Sequence, residues 1–290
     1  MEYLKAIILG IIQGATEFLP ISSSGHLSVA QHFMGLGGPG SLMLTVFLHV
    51  GTLVAVIAVY YKTFWKLIKE IVYFLGDLFT GRLFRKPVSE DRHLLYMLFI
   101  SCLPLLLLFI PIGGGQNLKD FVEQFSNDND IILEGVCFMI TAFLLFKGSY
   151  DSRHKKTHPR AEMKDAWWIG IAQFFAAALP GLSRSGSTIA TGMMRGVEKN
   201  YMVEYSFVLG TPAVLAASIV EIKDAVGGAA PSMPLGPILV GVITAAVVGV
   251  LAIKLLQWLV NKDKFEFFGY YCAILSAVVI AFGVWEKVGA

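Results

Sequence analysis

Two apolar segments that stop halfway constrain this chain more than anything else in it. Residues 3–19 and 167–179 are apolar enough to enter a bilayer, and each ends in Leu-Pro followed by Ser and Gly. Proline removes a backbone donor and clashes with the preceding turn, so neither segment runs on as helix. A short second apolar stretch follows each break, over 27–36 and 188–197. A crossing helix needs about 20 residues, so neither stretch spans. Both pairs read as re-entrant hairpins that dip to mid-membrane and return. Irregular backbone at that depth is tolerated only where protein buries it or it lines a wet cavity.

Six further segments are long enough to cross: roughly 41–61, 94–112, 131–148, 203–222, 235–260 and 267–285. Of the 290 residues 56% are hydrophobic and 15% charged, where soluble domains carry about 45–50% and about 25%. The excess lies in long runs, which predicts a polytopic membrane protein rather than a soluble one with a large core. A net charge of +2 without a basic stripe excludes nucleic acid as a partner. Cys102, Cys137 and Cys272 sit far apart in apolar runs and read as small core residues. Trp65, Trp167, Trp168, Trp258 and Trp285 fall near predicted span ends, as an interfacial belt does. Glu134 and Lys254 sit near span ends too, where snorkelling accounts for them.

Lysine and arginine set the orientation. The loop 62–93 carries Lys62, Lys66, Lys69, Arg82, Arg85, Lys86 and Arg92, and the loop 147–166 is also basic. The segment 113–130 has Lys119 against Asp120, Glu123, Asp128 and Asp130, and Lys223 is the single base of 223–234. Basic loops inside and acidic loops outside place both termini outside, with the first hairpin entering from there.

The hairpins resemble each other. Gly10-Ile11-Ile12-Gln13 aligns with Gly170-Ile171-Ala172-Gln173, and Leu19-Pro20 with Leu179-Pro180. After a one-residue shift Ser22-Ser23-Ser24-Gly25 aligns with Ser183-Arg184-Ser185-Gly186, and Gly51-Thr52 aligns with Gly210-Thr211. Each unit holds one hairpin and three spans, so the second copy starts on the opposite side. The expected fold is all-α, an inverted-topology repeat within one integral membrane domain over 1–290. Repeat one covers about 1–148, a cytoplasmic linker 149–164, and repeat two 165–290. Such proteins place their site near the midplane, where the copies meet.

The first tip holds Gln13, Glu17, Ser22, Ser23, Ser24 and His26. Gln13 and Glu17 are four apart and share a helix face. A carboxyl at membrane depth costs about 2.5–3.5 kcal/mol, so Glu17 needs a partner, a proton or a metal. Small hydroxyl residues and glycine let backbone N–H groups face an anion, and serine beside histidine is the raw material of an activated nucleophile. The second tip reads Pro180-Gly181-Leu182-Ser183-Arg184-Ser185-Gly186-Ser187-Thr188 and opens the short helix 188–197. A guanidinium fork among serines at a helix N-terminus matches phosphate geometry. Together the tips could carry phosphoryl transfer. Arg184 would clamp the phosphate, a serine would attack, His26 would move the proton, and Glu17 with Gln13 would hold a divalent cation. Plainer readings stand beside these: serine after proline often caps a helix, and Glu17 with Arg184 could form a locked structural pair. Glu204 is either a charge at a helix start or a partner of Arg184. His32 and His49 read as packing residues.

The string Gln13-x-x-x-Glu17-Phe18-Leu19-Pro20-Ile21-Ser22-Ser23-Ser24-Gly25-His26 resembles the first signature of the undecaprenyl-diphosphate phosphatases, the bacitracin-resistance proteins of bacterial inner membranes. The string Pro180-Gly181-Leu182-Ser183-Arg184-Ser185-Gly186-Ser187-Thr188 resembles their second, and the likeness covers nearly the whole chain. The resemblance implies removal of the terminal phosphate from a C55 polyprenyl diphosphate, recycling the lipid carrier for wall synthesis, with Mg or Ca as the divalent cation. It puts Glu17 at an acidic metal position, where Gln13 stands for a second acid of some members. It puts Ser23 at the proposed nucleophile, His26 at the proposed acid/base and Arg184 at the phosphate-binding arginine. Ser22, Ser24, Ser183, Ser185 and Thr188 complete the expected phosphate-binding set. Sequence does not rank Ser22, Ser23 and His26 as attacking group. The expected location is the inner membrane with the site facing outward, where a long prenyl tail stays in the bilayer. A lipid flippase or transporter is the alternative, because inverted repeats with broken helices suit alternating access. A homodimer is one assembly compatible with such a chain.

Overall fold

The computed structural model describes residues 2–34, 39–81, 88–113, 116–118, 131–179, 181–227 and 234–289. Expectations that fall on Arg82, Arg85, Lys86, Pro180, and the acidic residues Asp120, Glu123, Asp128 and Asp130 with Lys119 lie outside the described residues. The first hairpin is α1 (Glu2–Phe18) and α2 (Ser23–Phe33). Next come α3 (Pro39–Val59), α4 (Tyr61–Phe79) and α5 (Glu90–Cys102), which runs on as a 3-10 turn over Leu103–Phe109. After a two-stranded antiparallel ribbon, Pro111–Gly113 with Gln116–Asn117, come α6 (Ile132–His154) and the second hairpin, α7 (Met163–Ala178) with α8 (Arg184–Met194). The chain closes with α9 (Lys199–Gly227), α10 (Leu235–Asn261) and α11 (Glu266–Gly289).

Four stretches among the described residues are long and apolar enough to cross a membrane: Glu90–Phe109, Ile132–His154, Leu235–Asn261 and Glu266–Val288. A fifth apolar pair, Leu44–Val59 with Tyr61–Phe79, bends by 87°. The chain is therefore an all-helical, multi-pass membrane protein. Its packing is inverted relative to a soluble one. On α10 the buried face carries Gly241, Ala245, Gly249 and Ala252, and the exposed face carries Leu239, Ile243, Val247 and Leu251. Lipid tails are as apolar as leucine, so close backbone approach holds the helices together. Accordingly α1 lies directly on α10: a Cβ on Gly14 would stand 2.6 Å from the Ala245 carbonyl oxygen. All five tryptophans are exposed, as a headgroup belt requires.

Four expectations need correction. The segment 62–93, read as a loop, contains the 19-residue helix α4; its charges and apolar side chains fall on opposite arcs, a periodicity that a count of basic residues overlooks. The short helices begin at Ser23 and Arg184 rather than at 27 and 188, because Ser22 and Ser183 cap them. Each cap hydroxyl accepts from the backbone N–H three residues on, Gly25 at 3.2 Å and Gly186 at 3.1 Å. The segment 131–148 continues through His154. Near its start Glu134 does not snorkel; it is buried and accepts from the Ser28 hydroxyl at 2.8 Å. Cys137 and Cys272 are buried, as expected, and Cys102 partly so.

The main apolar core reaches into the first hairpin tip, with Phe18, Ile21, Leu145, Ile189, Leu209 and Ile253 among its members.

Candidate active site

Glu17 is the hub at which the two tips meet. It lies one residue from the end of α1, so its carboxylate faces the turn rather than lipid. Its Oε1 accepts from an Arg184 guanidinium nitrogen at 2.8 Å. Its Oε2 accepts from the Ser23 hydroxyl at 2.6 Å and from the Gln13 amide at 3.1 Å. Three donors from both hairpins thus converge on one carboxylate that is 8% exposed. Removing either charge would strand the other at low dielectric, so the pair explains how an acid and a base persist with so little exposure. The tips also touch through backbone: the Ser185 hydroxyl reaches the Leu19 carbonyl at 3.5 Å.

Arg184 leads α8, and its second guanidinium nitrogen reaches the Ser206 carbonyl of α9 at 3.5 Å. Gly210, one turn further along α9, is what admits it: a Cβ there would collide with the guanidinium. Pro212 follows inside the same helix, where its ring withholds one intrahelical hydrogen bond.

A small cavity of ≈ 80 Å³ opens at this junction. Glu17, Ser22, Ser23, Ser24, Ser183, Arg184 and Ser185 all line it. The structure therefore brings seven of the ten expected site residues around one polar space. Within it Ser22 and Ser183 hydroxyls are held as caps, whereas the Ser23 hydroxyl points to a carboxylate. A second cavity of ≈ 220 Å³ shares Arg184 as a wall and is otherwise lined largely by apolar atoms of Leu105, Ala177, Ala213 and Val214, with His49 and Gln173 beside them.

Three expected residues sit outside the lining. Gln13 is fully buried behind Glu17, and its Oε1 has no hydrogen-bond partner among the described residues. Thr188 is buried between α8 and α9, where its hydroxyl meets that of Ser206 at 2.6 Å and bonds back to the Arg184 carbonyl at 2.9 Å. His26 turns away toward α11. Its Nδ1 lies 2.7 Å from the Ser22 carbonyl and its Nε2 2.8 Å from the Tyr271 hydroxyl. A carbonyl only accepts, so Nδ1 carries the hydrogen; in the neutral ring Nε2 then accepts from the tyrosine. The ring also stacks on Tyr271, with planes 9° apart. Ser22 has φ +73°, a region costing non-glycine residues about 1–3 kcal/mol, and His26 holds that turn through two bonds to one carbonyl. Glu204 partners neither Arg184 nor a helix start; it accepts from Thr63 of α4 at 2.5 Å.

Sequence reasoning missed Tyr271 and Gly210 as site residues. Gly210 had a signal, its alignment with Gly51. Tyr271 had none, because it lies 245 residues from its partner. Tyr271→Phe keeps the stack and deletes one hydrogen bond, so turnover is expected to fall about 3- to 10-fold, corresponding to roughly 1 kcal/mol. His26→Ala, which also frees the Ser22 turn, is expected to cost at least tenfold more. Steady-state rates of the two variants check the order; equal losses would contradict it.

The family is now legible from outside. A family model described as the bacitracin resistance protein BacA matches residues 6–278. An undecaprenyl-diphosphatase of Alkaliphilus metalliredigens is 35% identical over 98% of this chain and its own full length. One from Bacteroides fragilis is 37% identical, covering 97% of this chain and 98% of its own. A third, from Methanosphaera stadtmanae, is 34% identical across 98% and 99%. Matches of that extent, over a chain whose two broken hairpins close on one serine-, glutamate- and arginine-lined cavity, make this protein a member of the bacitracin-resistance (BacA) family.

Proposed function

We propose that the protein hydrolyses undecaprenyl diphosphate to undecaprenyl phosphate and inorganic phosphate. The observation that carries this reading is the contact of the Ser23 hydroxyl with the Glu17 carboxylate at 2.6 Å, beside the Arg184 guanidinium. A nucleophile within hydrogen-bond reach of a base that is itself oriented by other groups is the arrangement covalent catalysis requires. In this reading Ser23 Oγ attacks the terminal phosphorus and passes its proton to Glu17. The P–O bond to the bridging oxygen breaks, and the lipid monophosphate leaves. Water then attacks the phosphoserine and the Ser23–phosphorus bond breaks; the Ser23 oxygen takes back the proton held on Glu17, and inorganic phosphate leaves carrying the protons of the water. Arg184 moves from Glu17 toward the phosphate oxygens and offsets the charge that gathers on them. Ser24 and Ser185, with backbone N–H groups of the two capped helix starts, bind the remaining oxygens. The Ser22 hydroxyl is committed to its cap and the His26 nitrogens to Ser22 and Tyr271, which favours Ser23 as the attacking group.

The two cavities suit an amphiphilic substrate, with the diphosphate in the serine-lined one and the first prenyl units along the apolar one. A divalent cation, Mg or Ca, fits the donor set. Glu17 offers a carboxylate; Gln13 turns its amide nitrogen to that carboxylate, so its Oε1, which has no partner among the described residues, would reach the ion on an amide flip. Among the described residues no group of three His, Cys, Asp or Glu surrounds it, so phosphate oxygens and water would complete the shell. Bound there, the ion would supply charge neutralisation.

The inverted repeat belongs to the same reading. Its support is functional equivalence across the two halves: Ser22 and Ser183 are both caps, and Gln13 and Gln173 are both buried with an unpartnered Oε1. The loop charges support a shared site that faces outward, at the outer face of a bacterial inner membrane. The flippase alternative lacks a feature that would need Ser23 on Glu17.

Purified protein in detergent, without a gradient, is expected to release phosphate from undecaprenyl diphosphate. Release should be lost in Ser23→Ala, and on chelation, and recover when Mg or Ca is returned. Full release by Ser23→Ala would remove the proposed nucleophile; full release in chelator would remove the cation.

A further inference from the structure

The helix α4 turns 87° away from α3 at Tyr60. If α3 crosses the bilayer, α4 lies along its surface. Two anchors hold it to the protein. Arg92, at the start of α5, donates to Glu70 at 2.5 Å and to Asp77 at 2.8 Å, with all three side chains buried. Thr63 donates to Glu204 of α9. These contacts use the acids of α4 and leave its other faces outward.

The outward surface has two stripes. Tyr61, Trp65, Ile68, Val72, Leu75 and Phe79 recur at helical spacing, and each is exposed. Beside them run Lys62, Lys66 and Lys69, also exposed. The Lys69 ammonium stands 5.3 Å over the Trp65 ring and that of Lys62 5.9 Å over Tyr61. Lys66 lies 3.8 Å from the exposed Asp91, a pairing that solvent keeps weak. An apolar stripe flanked by lysines and lying across the bilayer normal is the pattern of an interfacial helix.

We propose that α4 docks on anionic phospholipid headgroups, with the apolar stripe in the acyl boundary and the three lysines on lipid phosphates. The occupant follows from charge. The acidic residues of α4 are buried on the protein side against Arg92, so the charged side chains that α4 itself turns outward are its three lysines, and a basic helix face at a membrane surface takes anionic lipid. The proposal is independent of the hydrolytic reading, since no residue of α4 lines either cavity.

The test uses the full chain in phosphatidylcholine vesicles with and without phosphatidylglycerol. Selectivity for spin-labelled phosphatidylglycerol over spin-labelled phosphatidylcholine is measured for the native protein and for Lys62→Gln/Lys66→Gln/Lys69→Gln. The triple variant is expected to lose at least about fivefold in selectivity, the effect of one lysine at an anionic surface. The variant with arginine at all three positions should retain selectivity, and turnover in detergent should be unchanged in both. In a chain whose other four tryptophans are phenylalanine, Trp65 should be quenched by acyl-brominated lipid. Unaltered selectivity in the glutamine variant would overturn the proposal. So would a Trp65 shielded from brominated lipid, the result expected if α4 instead packs on a second copy or another protein.

Discussion

Arg184→Ala is expected to lower kcat/KM for phosphate release by about 10³-fold, the range seen when a charge-stabilising donor is removed from a transferring phosphate. Two losses combine. The phosphate oxygens lose a two-pronged donor, and Glu17 loses its ion-pair partner at 2.8 Å while remaining largely buried. Breaking a buried pair from one side also costs stability, about 3–5 kcal/mol when burial is complete; Arg184 is 23% exposed, so the structural part should be smaller. Arg184→Lys separates the two. It keeps a charge near Glu17 but offers a point donor in place of a fork, so thermal stability in detergent should stay near native while turnover still falls about 10- to 100-fold. If Arg184→Lys were fully active, charge alone would suffice, and the proposed grip on the phosphate would be wrong.

Gly210→Ala is expected to cost about 10²-fold in turnover, although it adds one methyl group and removes no functional atom. The added Cβ would occupy the space of the Arg184 guanidinium. The side chain must then shift, and a displacement of about 1 Å in a positioning group can cost that much. Because the effect passes through Arg184, the two substitutions should not add. In Arg184→Ala the methyl group has room, and Gly210→Ala should then change kcat/KM little. A full additive loss in the double variant would show that Gly210 acts through helix packing instead.

Much of this site was legible in the sequence because its chemistry sits where helices break. Leu19-Pro20 and the serines after it had to end one helix and start another, and polar side chains at a break between apolar helices need a cavity or each other. That logic carried Glu17, Ser23 and Arg184 to one place. It did not carry His26, whose neighbours in sequence suggested Ser23 while its ring found Tyr271 across the bundle. Short-range spacing limits what a side chain can reach, but a long-range partner decides where it turns. The caps show the opposite balance. Serine after proline was read both as ligand and as cap, and Ser22 and Ser183 do the second while facing the same cavity. The helix α4 went unread because its basic residues were counted for orientation, which hides the apolar stripe between them. Glu134 shows the limit of position along a span: depth near an end does not reveal that Ser28 of the first hairpin waits there.

The central claim is that both broken hairpins hold one phosphate between them. A structure of the full chain with a polyprenyl methylene-diphosphonate, whose bridge resists cleavage, tests this directly. The terminal phosphonate is expected within hydrogen-bond reach of the Arg184 guanidinium and the Ser23 hydroxyl at once, with the ion pair to Glu17 opened to admit it. A head group bound to one hairpin alone, with Arg184 still closed on Glu17, would contradict the account.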